Sequence, residues 1–438
     1  MKPAHGARKQ GSLLLCLALL GGCATLDSRH RVGTAPSPYI LVFAADQDEK
    51  QDDFLAVIDV RAGSPTVGRV IATTPVGMTA SMPHHFEYEM PPAGELLFGN
   101  AHHHEHTLLI DTADPLKPVV KRVINPPAPY RFTHDYKRLP TGNRLVGFLR
   151  SDGPSPREGE LSPGGHGGIA EYTASGDLLR TASAAVAGAK DPIRPYAFVP
   201  MLDQDRVVTT SAPMMENFSA DVIQIWRYSD LKLLHTIAVP PGQRADGSPL
   251  PGAGRYPFGP RLMRDGSVLM NAYGCGFFRL TGIATDVPKL EHVYTIQVPD
   301  PEKATDTRGA CGIPVVIGRH WVMPVGRAHT VVVLDVSDPA APREVSRLDT
   351  PADFNPHWLA RDLASNRLVL GAELGGEKGM YLLDLDPATG QLRPDASIVA
   401  PDGTRGYISL DRPDWPHGAS GAAWAHAGLF LPEKRRAP

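Results

Sequence analysis

Helical periodicity is what this 438-residue chain most lacks. No stretch holds apolar residues at helical spacing for the turns a core helix needs, and 43 glycines with 43 prolines would interrupt any that began. That absence excludes a chain built on long helices and leaves many short strands joined by turns. A basic stripe is also missing: 44 Lys and Arg stand against 47 Asp and Glu, for a net charge of -3, which excludes nucleic acid as a natural partner. Beyond the first two dozen residues no apolar run is long enough to cross a bilayer as a helix. Cysteine is scarce, with four in all and two of them before residue 24, so any thiol chemistry in the rest of the chain rests on Cys275 and Cys311.

What is present begins with an export segment. Lys2, Arg8 and Lys9 precede the apolar run from Ser12 to Leu20, and Gly21-Gly22-Cys23 closes it. A basic start, a short apolar stretch and small residues at a cleavage point make a signal peptide rather than a membrane span. Leu20-Gly21-Gly22-Cys23 also resembles the bacterial lipobox, which implies cleavage before Cys23 and lipidation of its thiol; an ordinary signal peptide with an incidental cysteine is the alternative. Ala24 after the cysteine, by resemblance to sorted lipoproteins, favours the outer membrane, with residues 24–37 as a tether and membrane contact through the lipid anchor only.

The remainder repeats. Short β-rich runs recur at Leu55–Val60, Leu108–Thr112, Gly168–Tyr172, Val222–Trp226, Phe277–Thr281, Val331–Val336 and Tyr381–Leu385. Most lead through a turn such as Ala113-Asp114-Pro115 or Ser337-Asp338-Pro339 into another strand-like run. Seven copies at a period of roughly fifty residues predict an all-β, seven-bladed β-propeller with four antiparallel strands per blade, spanning 38–438. The opening strand, Tyr39–Phe43, is expected to pair with the last blade and remove the exposed edges. Separate β-sandwich domains would need a linker with a composition shift, and none follows residue 37. Arg150 to Gly168, rich in proline and glycine, reads as a loop.

Histidines occupy equivalent places in these repeats. His84 and His85, His134 and His357 each precede a hairpin turn by a similar number of residues, which puts them at the entrance of strands that line a propeller's channel. His417, in Asp414-Trp415-Pro416-His417, is expected as a further imidazole from the segment closing the ring. Several neutral imidazoles with few thiols suit copper first, then zinc or iron. The alternative is that each is a satisfied or exposed histidine at a loop edge. Glu87 and Asp135, beside the candidate ligands, are expected to orient the imidazoles or act as bases.

The louder cluster His102-His103-His104-Glu105-His106 reads as a solvated metal-binding surface at a blade edge rather than the active centre, and His426 as either a core residue or an extra ligand. Cys275 and Cys311 are expected as a disulfide joining one blade to the next; the alternative puts Cys311 at the channel as a ligand or reactive thiol. Arg194 and Arg261 stand at further strand entrances, where they would line the cavity or serve the structure.

Asp53–Val60 followed by Ser64-Pro65, Val70-Ile71 and His84-His85, then Thr133-His134, Asn271–Cys275 before Phe277–Leu280, and the strand ending Asp335-Val336-Ser337-Asp338-Pro339, resemble in their order the selenium-binding proteins, the family that includes methanethiol oxidases. The resemblance implies the same seven-bladed propeller, a histidine-bound metal that is copper in the methanethiol oxidases, and oxidation of a small thiol by dioxygen to aldehyde, sulfide and peroxide. His84, His85 and His134 match family histidines, His357 and His417 more loosely. Two positions depart from the pattern: 129–133 holds no histidine where many relatives have one, and the selenium-binding cysteine has no counterpart near the start of the chain. A non-catalytic metal- or selenium-binding envelope lipoprotein is the competing expectation. A lactonase is weaker, since it would want carboxylates around a hard cation.

Overall fold

The computed structural model describes residues 35–151, 165–214, 219–298, 311–373 and 377–433, so the export segment and its lipobox cysteine lie outside the described residues, as does most of the expected loop from 150 to 168. Seven antiparallel blades of four strands surround one axis. Each repeated apolar run becomes the third strand of its blade counted outward: Asp52–Asp59, His106–Asp111, Gly168–Tyr172, Val222–Arg227, Gly276–Thr281, Thr330–Asp335 and Gly379–Leu385. These strands are covered on both faces by neighbouring blades, so nearly every residue along them is buried and the sequence shows a continuous apolar run rather than alternation. Outermost strands such as Val119–Ile124 and Leu178–Ser183 keep exposed positions.

The innermost strands are Gly421–Leu431, Pro83–Phe86, Tyr130–Arg138, Pro195–Met201, Pro257–Leu262, Val315–Ile317 and Pro356–Arg361, in order from the first blade to the seventh. Ring closure differs from the expectation. Tyr39–Asp46 does not join the seventh blade; it is the second strand of the first, and the chain's last strand crosses to become that blade's innermost member, pairing Ile40 with Phe430 and Leu41 with Leu429. Tyr39–Asp46 already has Asp52–Asp59 on its outer side, so its open edge faces the axis, and the C-terminal strand covers it.

A disulfide joins Cys275, in the turn after Val268–Ala272 of the fifth blade, to Cys311 at the entrance of the sixth. Both sulfurs lie in the apolar cluster between these blades with Phe277, Trp321 and Val325, so Cys311 presents no thiol to the channel.

Candidate metal centre

Six of the seven innermost strands slip register against their neighbour. The slips fall between Pro83 and Phe86, Thr133 and Tyr136, Pro195 and Phe198, Pro257 and Gly259, and Pro356 and Trp358, and, in the first blade, opposite Val42 to Ala44, where Ala425 and Gly428 bracket His426. A bulge adds a residue to one strand and re-aims its side chain. The rings that turn toward the axis all lie inside these bulges: His84 and His85, His134, Tyr196, Phe258, His357 and His426. Proline opens four of these strands, Pro83, Pro195, Pro257 and Pro356, at the first position, where a missing N–H costs no ladder bond.

The imidazoles meet. His84 stacks on His85 at 4.1 Å and on His426 at 4.2 Å between ring centroids. His134 lies 4.4 Å from His85, and His357 lies 5.0 Å from His426. His102 completes the set from the turn after Leu97–Ala101, with its ring 5.5 Å from His84. All six are buried. Burial, followed by the neighbouring imidazoles, holds His84, His85 and His357 well below the usual histidine range; burial does the same for His134. It also lowers His426 to about 4 and His102 to about 3. Neutral rings carry a free lone pair at physiological pH.

Two of the rings have their tautomer fixed from behind. His134 Nδ1 donates to the Tyr196 carbonyl at 3.0 Å, and His426 Nδ1 donates to the Glu373 carbonyl, which leaves each Nε2 as a bare acceptor. Those two Nε2 atoms and both nitrogens of His84, His85 and His102 are buried with no hydrogen-bond partner among the described residues. Leaving one such group unmet costs about 1–3 kcal/mol, so a cluster of them calls for a shared partner. The ligand atoms of His84, His85 and His426 lie within 4.8 Å of one another. In a tetrahedral shell with bonds of about 2.1 Å, nitrogens stand about 3.4 Å apart, so small ring rotations close the set around one d-block cation. The donor set thus fits copper, zinc or iron, and the nitrogen-only chemistry ranks copper highest.

Supports of this geometry are spread over several blades. Asn100, fully buried, accepts from the His85 backbone N–H at 2.6 Å and donates to the carbonyls of Thr133 and His134 at 2.9 and 3.2 Å, stitching the two histidine-bearing strands together. Gly312 and Gly371 let neighbouring backbone approach the cluster: a Cβ on Gly312 would run into the His357 carbonyl, and one on Gly371 into that of His426.

Several expectations change here. His417 is not part of the cluster: it sits in the turn before the last strand, half-buried, with Nδ1 2.7 Å from the Thr73 hydroxyl and its ring against Phe54. His426, from the strand that turn introduces, takes its place; no proline precedes it, so the signal that marked His84 and His357 was absent. His102, read as part of a solvated cluster, is buried against Phe132 at 5.0 Å, while His103 and His104 beside it stay exposed. Glu87 orients no imidazole. Strand alternation turns it between blades, where it accepts from Arg138 at 2.9 Å and Arg144 at 3.2 Å.

Asp135 also points away from the rings, toward Tyr88, Lys137 and Arg261, and burial raises its pKa to about 6. Arg194 is buried and donates to the Leu149 carbonyl at 2.9 Å, and Arg261 lies over the Tyr88 ring beneath the cluster.

On the other side the cluster faces a cavity of ≈ 90 Å³, reached by His84, His357 and His426 and walled by Tyr196, Tyr256, Phe258, Tyr273 and Met214. Glu373 is the carboxylate of its wall and accepts from the Tyr273 hydroxyl at 2.8 Å.

The fold and this site define a seven-bladed β-propeller with a histidine-lined hub. Among solved structures the chain is similar to a hypothetical selenium-binding protein from Sulfolobus tokodaii, at 15% identity and a TM-score of 0.65 over 90% of this chain and 94% of that one. It is also similar to the periplasmic gluconolactonase of Pseudomonas aeruginosa, at 14% identity and a TM-score of 0.54 over 89% and 99%. At these identities the likeness is one of fold. No family model and no curated protein matches the sequence.

Proposed function

We propose that the protein is a metal-dependent oxidase of a small thiol such as methanethiol, with copper, in preference to zinc or iron, held by the hub imidazoles. The observation that carries this reading is a set of buried, neutral imidazoles, with bare ring nitrogens among them, at the floor of a small aromatic-walled cavity. The metal, when bound, supplies a position for a thiolate and a route for electrons to dioxygen. His84, His85 and His426 are the closest donor set, with His134, His102 and His357 around them.

The other steps fall to the chain's own residues. Tyr196, Tyr256 and Phe258 exclude water and fit an apolar methyl group. Glu373, paired with Tyr273, is the wall carboxylate placed to take the thiol proton. In the balanced reaction, methanethiol, dioxygen and water, one molecule of each, give formaldehyde, hydrogen sulfide and hydrogen peroxide, again one of each. Carbon loses an electron pair to dioxygen, the C–S bond breaks, and water supplies the aldehyde oxygen.

Export and lipidation at Cys23 would place the protein on the periplasmic face of the outer membrane, held by its acyl chains. A second reading, a non-catalytic metal- or selenium-binding lipoprotein, draws support from the depth of the cluster, since His85 and His134 are almost wholly sealed from solvent. A lactonase reading has less support, because among the described residues the cavity wall offers one carboxylate, Glu373, rather than a ring of them.

Elemental analysis of protein purified from the envelope, with oxygen uptake on methanethiol, separates the readings. Stoichiometric copper with uptake abolished in His85→Ala is the expected result. Bound metal without turnover favours the binding protein, and full turnover in His85→Ala overturns the hub as the site of chemistry.

A further inference from the structure

The turn 101–106 joins the second and third strands of the second blade and runs from the hub to the surface. His102 at its start is buried, with neither ring nitrogen partnered, while His103 and His104 are exposed and His106 is half-buried. His104 and His106 stand in the wall of a second cavity, of ≈ 380 Å³, with Glu105, Tyr130 and Arg131. Their ring centroids are 6.0 Å apart. Two imidazoles bound to one ion through bonds of about 2.1 Å bring their centroids to about 5–6.5 Å, so this pair is already at coordinating separation.

The tautomers suit the same role. His104 Nε2 donates to the Thr79 carbonyl at 3.0 Å, which leaves Nδ1 as the bare nitrogen. His106 Nδ1 is buried and without a partner. Glu105 is engaged with Arg131 at 3.1 Å, so the pair offers nitrogen donors to a borderline d-block ion rather than carboxylate to a hard one.

We propose a second, solvent-reachable transition-metal site at His104 and His106, which passes its ion inward past His102 to the central cluster; the passage rests on reading that cluster as a metal centre. The series is continuous in kind: exposed imidazoles at the rim, one buried imidazole at the end of the same turn, then His84 at 5.5 Å. On its other side the cluster opens on aromatic rings, Met214 and the Glu373 carboxylate, which among the described residues form no comparable ladder of nitrogens. Each transfer exchanges one set of neutral nitrogen donors for another, and no electron or proton changes hands.

The test titrates Cu(II) into the chelator-stripped full chain. Trp358 reports on the hub, because its ring lies 4.8 Å from His85 and 6.1 Å from His426; its emission is isolated by difference from Trp358→Phe. Wild type should bind one readily chelated copper besides the hub copper. His104→Ala/His106→Ala should lose the readily chelated copper and fill the hub about tenfold more slowly to the same end point. His102→Phe should keep the rim copper and show the same slow filling to the wild-type end point, whereas a lowered end point makes His102 a hub ligand and overturns its role in the passage. Unchanged stoichiometry and rate in the double variant overturn the proposal. Loss of the rim copper with wild-type filling overturns the passage. Absence of Trp358 quenching in every protein removes the hub reading and the passage with it, while a copper lost only in the double variant upholds the rim site.

Discussion

The imidazoles of His84 and His426 stack at 4.2 Å with their planes 21° apart, although one comes from the second blade's first strand and the other from the last strand of the chain. Both rings face the cavity, and the pair is the contact through which the chain's two ends share one centre.

His426→Ala should therefore weaken hub metal by at least about tenfold while the fold persists, whereas His417→Ala should leave metal content unchanged. Metal per chain after dialysis, with thermal unfolding as the check on folding, measures both. Retention of metal by His426→Ala would remove that ring from the donor set.

Glu87→Ala should act on stability instead of metal. It leaves the guanidinium of Arg144, fully buried, without its closest carboxylate, at a cost of about 3 kcal/mol in urea unfolding. Metal per folded chain should not change. A loss of metal at unchanged stability would restore the orienting role that the sequence suggested for this residue.

Acidification should destabilise the metal-free protein. His426 at about 4 and His102 at about 3 are depressed by burial below the ordinary value near 6.5, and His84, His85, His134 and His357 shift the same way. Below pH 6.5 the unfolded chain binds protons that the folded chain refuses. The stabilisation is whole above pH 6.5 and falls by about 1.4 kcal/mol per unit for each such ring. Asp135, raised by burial to about 6, works the other way between about pH 6 and 4, and burial raises Asp53, Asp221 and Asp384 in the same direction. Urea midpoints should drop between pH 7 and pH 5, the unfolding free energy falling by about 2 kcal/mol for each ring that stays neutral. Midpoints independent of pH over that range would mean the rings are already charged in the fold.

Much of the propeller was legible because the third strand of every blade is buried on both faces and writes an uninterrupted apolar run into the sequence. Period and blade count follow from that. Histidines in the second, third and seventh blades were legible through their shared spacing before a hairpin. His426 was not, because its strand reaches the axis from the end of the chain and has no following hairpin to measure against. His102 was hidden by its neighbours: an alternating reading assigns five consecutive residues to surface and interior in turn, whereas a tight turn buries one ring and exposes the next two. The role of Asn100 left no trace, since a single amide bridging two blades has no periodic signature.

The last strand, Gly421–Leu431, is both the latch of the ring and the carrier of His426. A nascent chain that has not yet delivered it has an unlatched first blade, with Tyr39–Asp46 bare along one side, and a donor set short of one ring. Mature affinity for the ion and a closed toroid are thus acquired in the same event, so truncation from the C-terminus should abolish both together rather than one after the other.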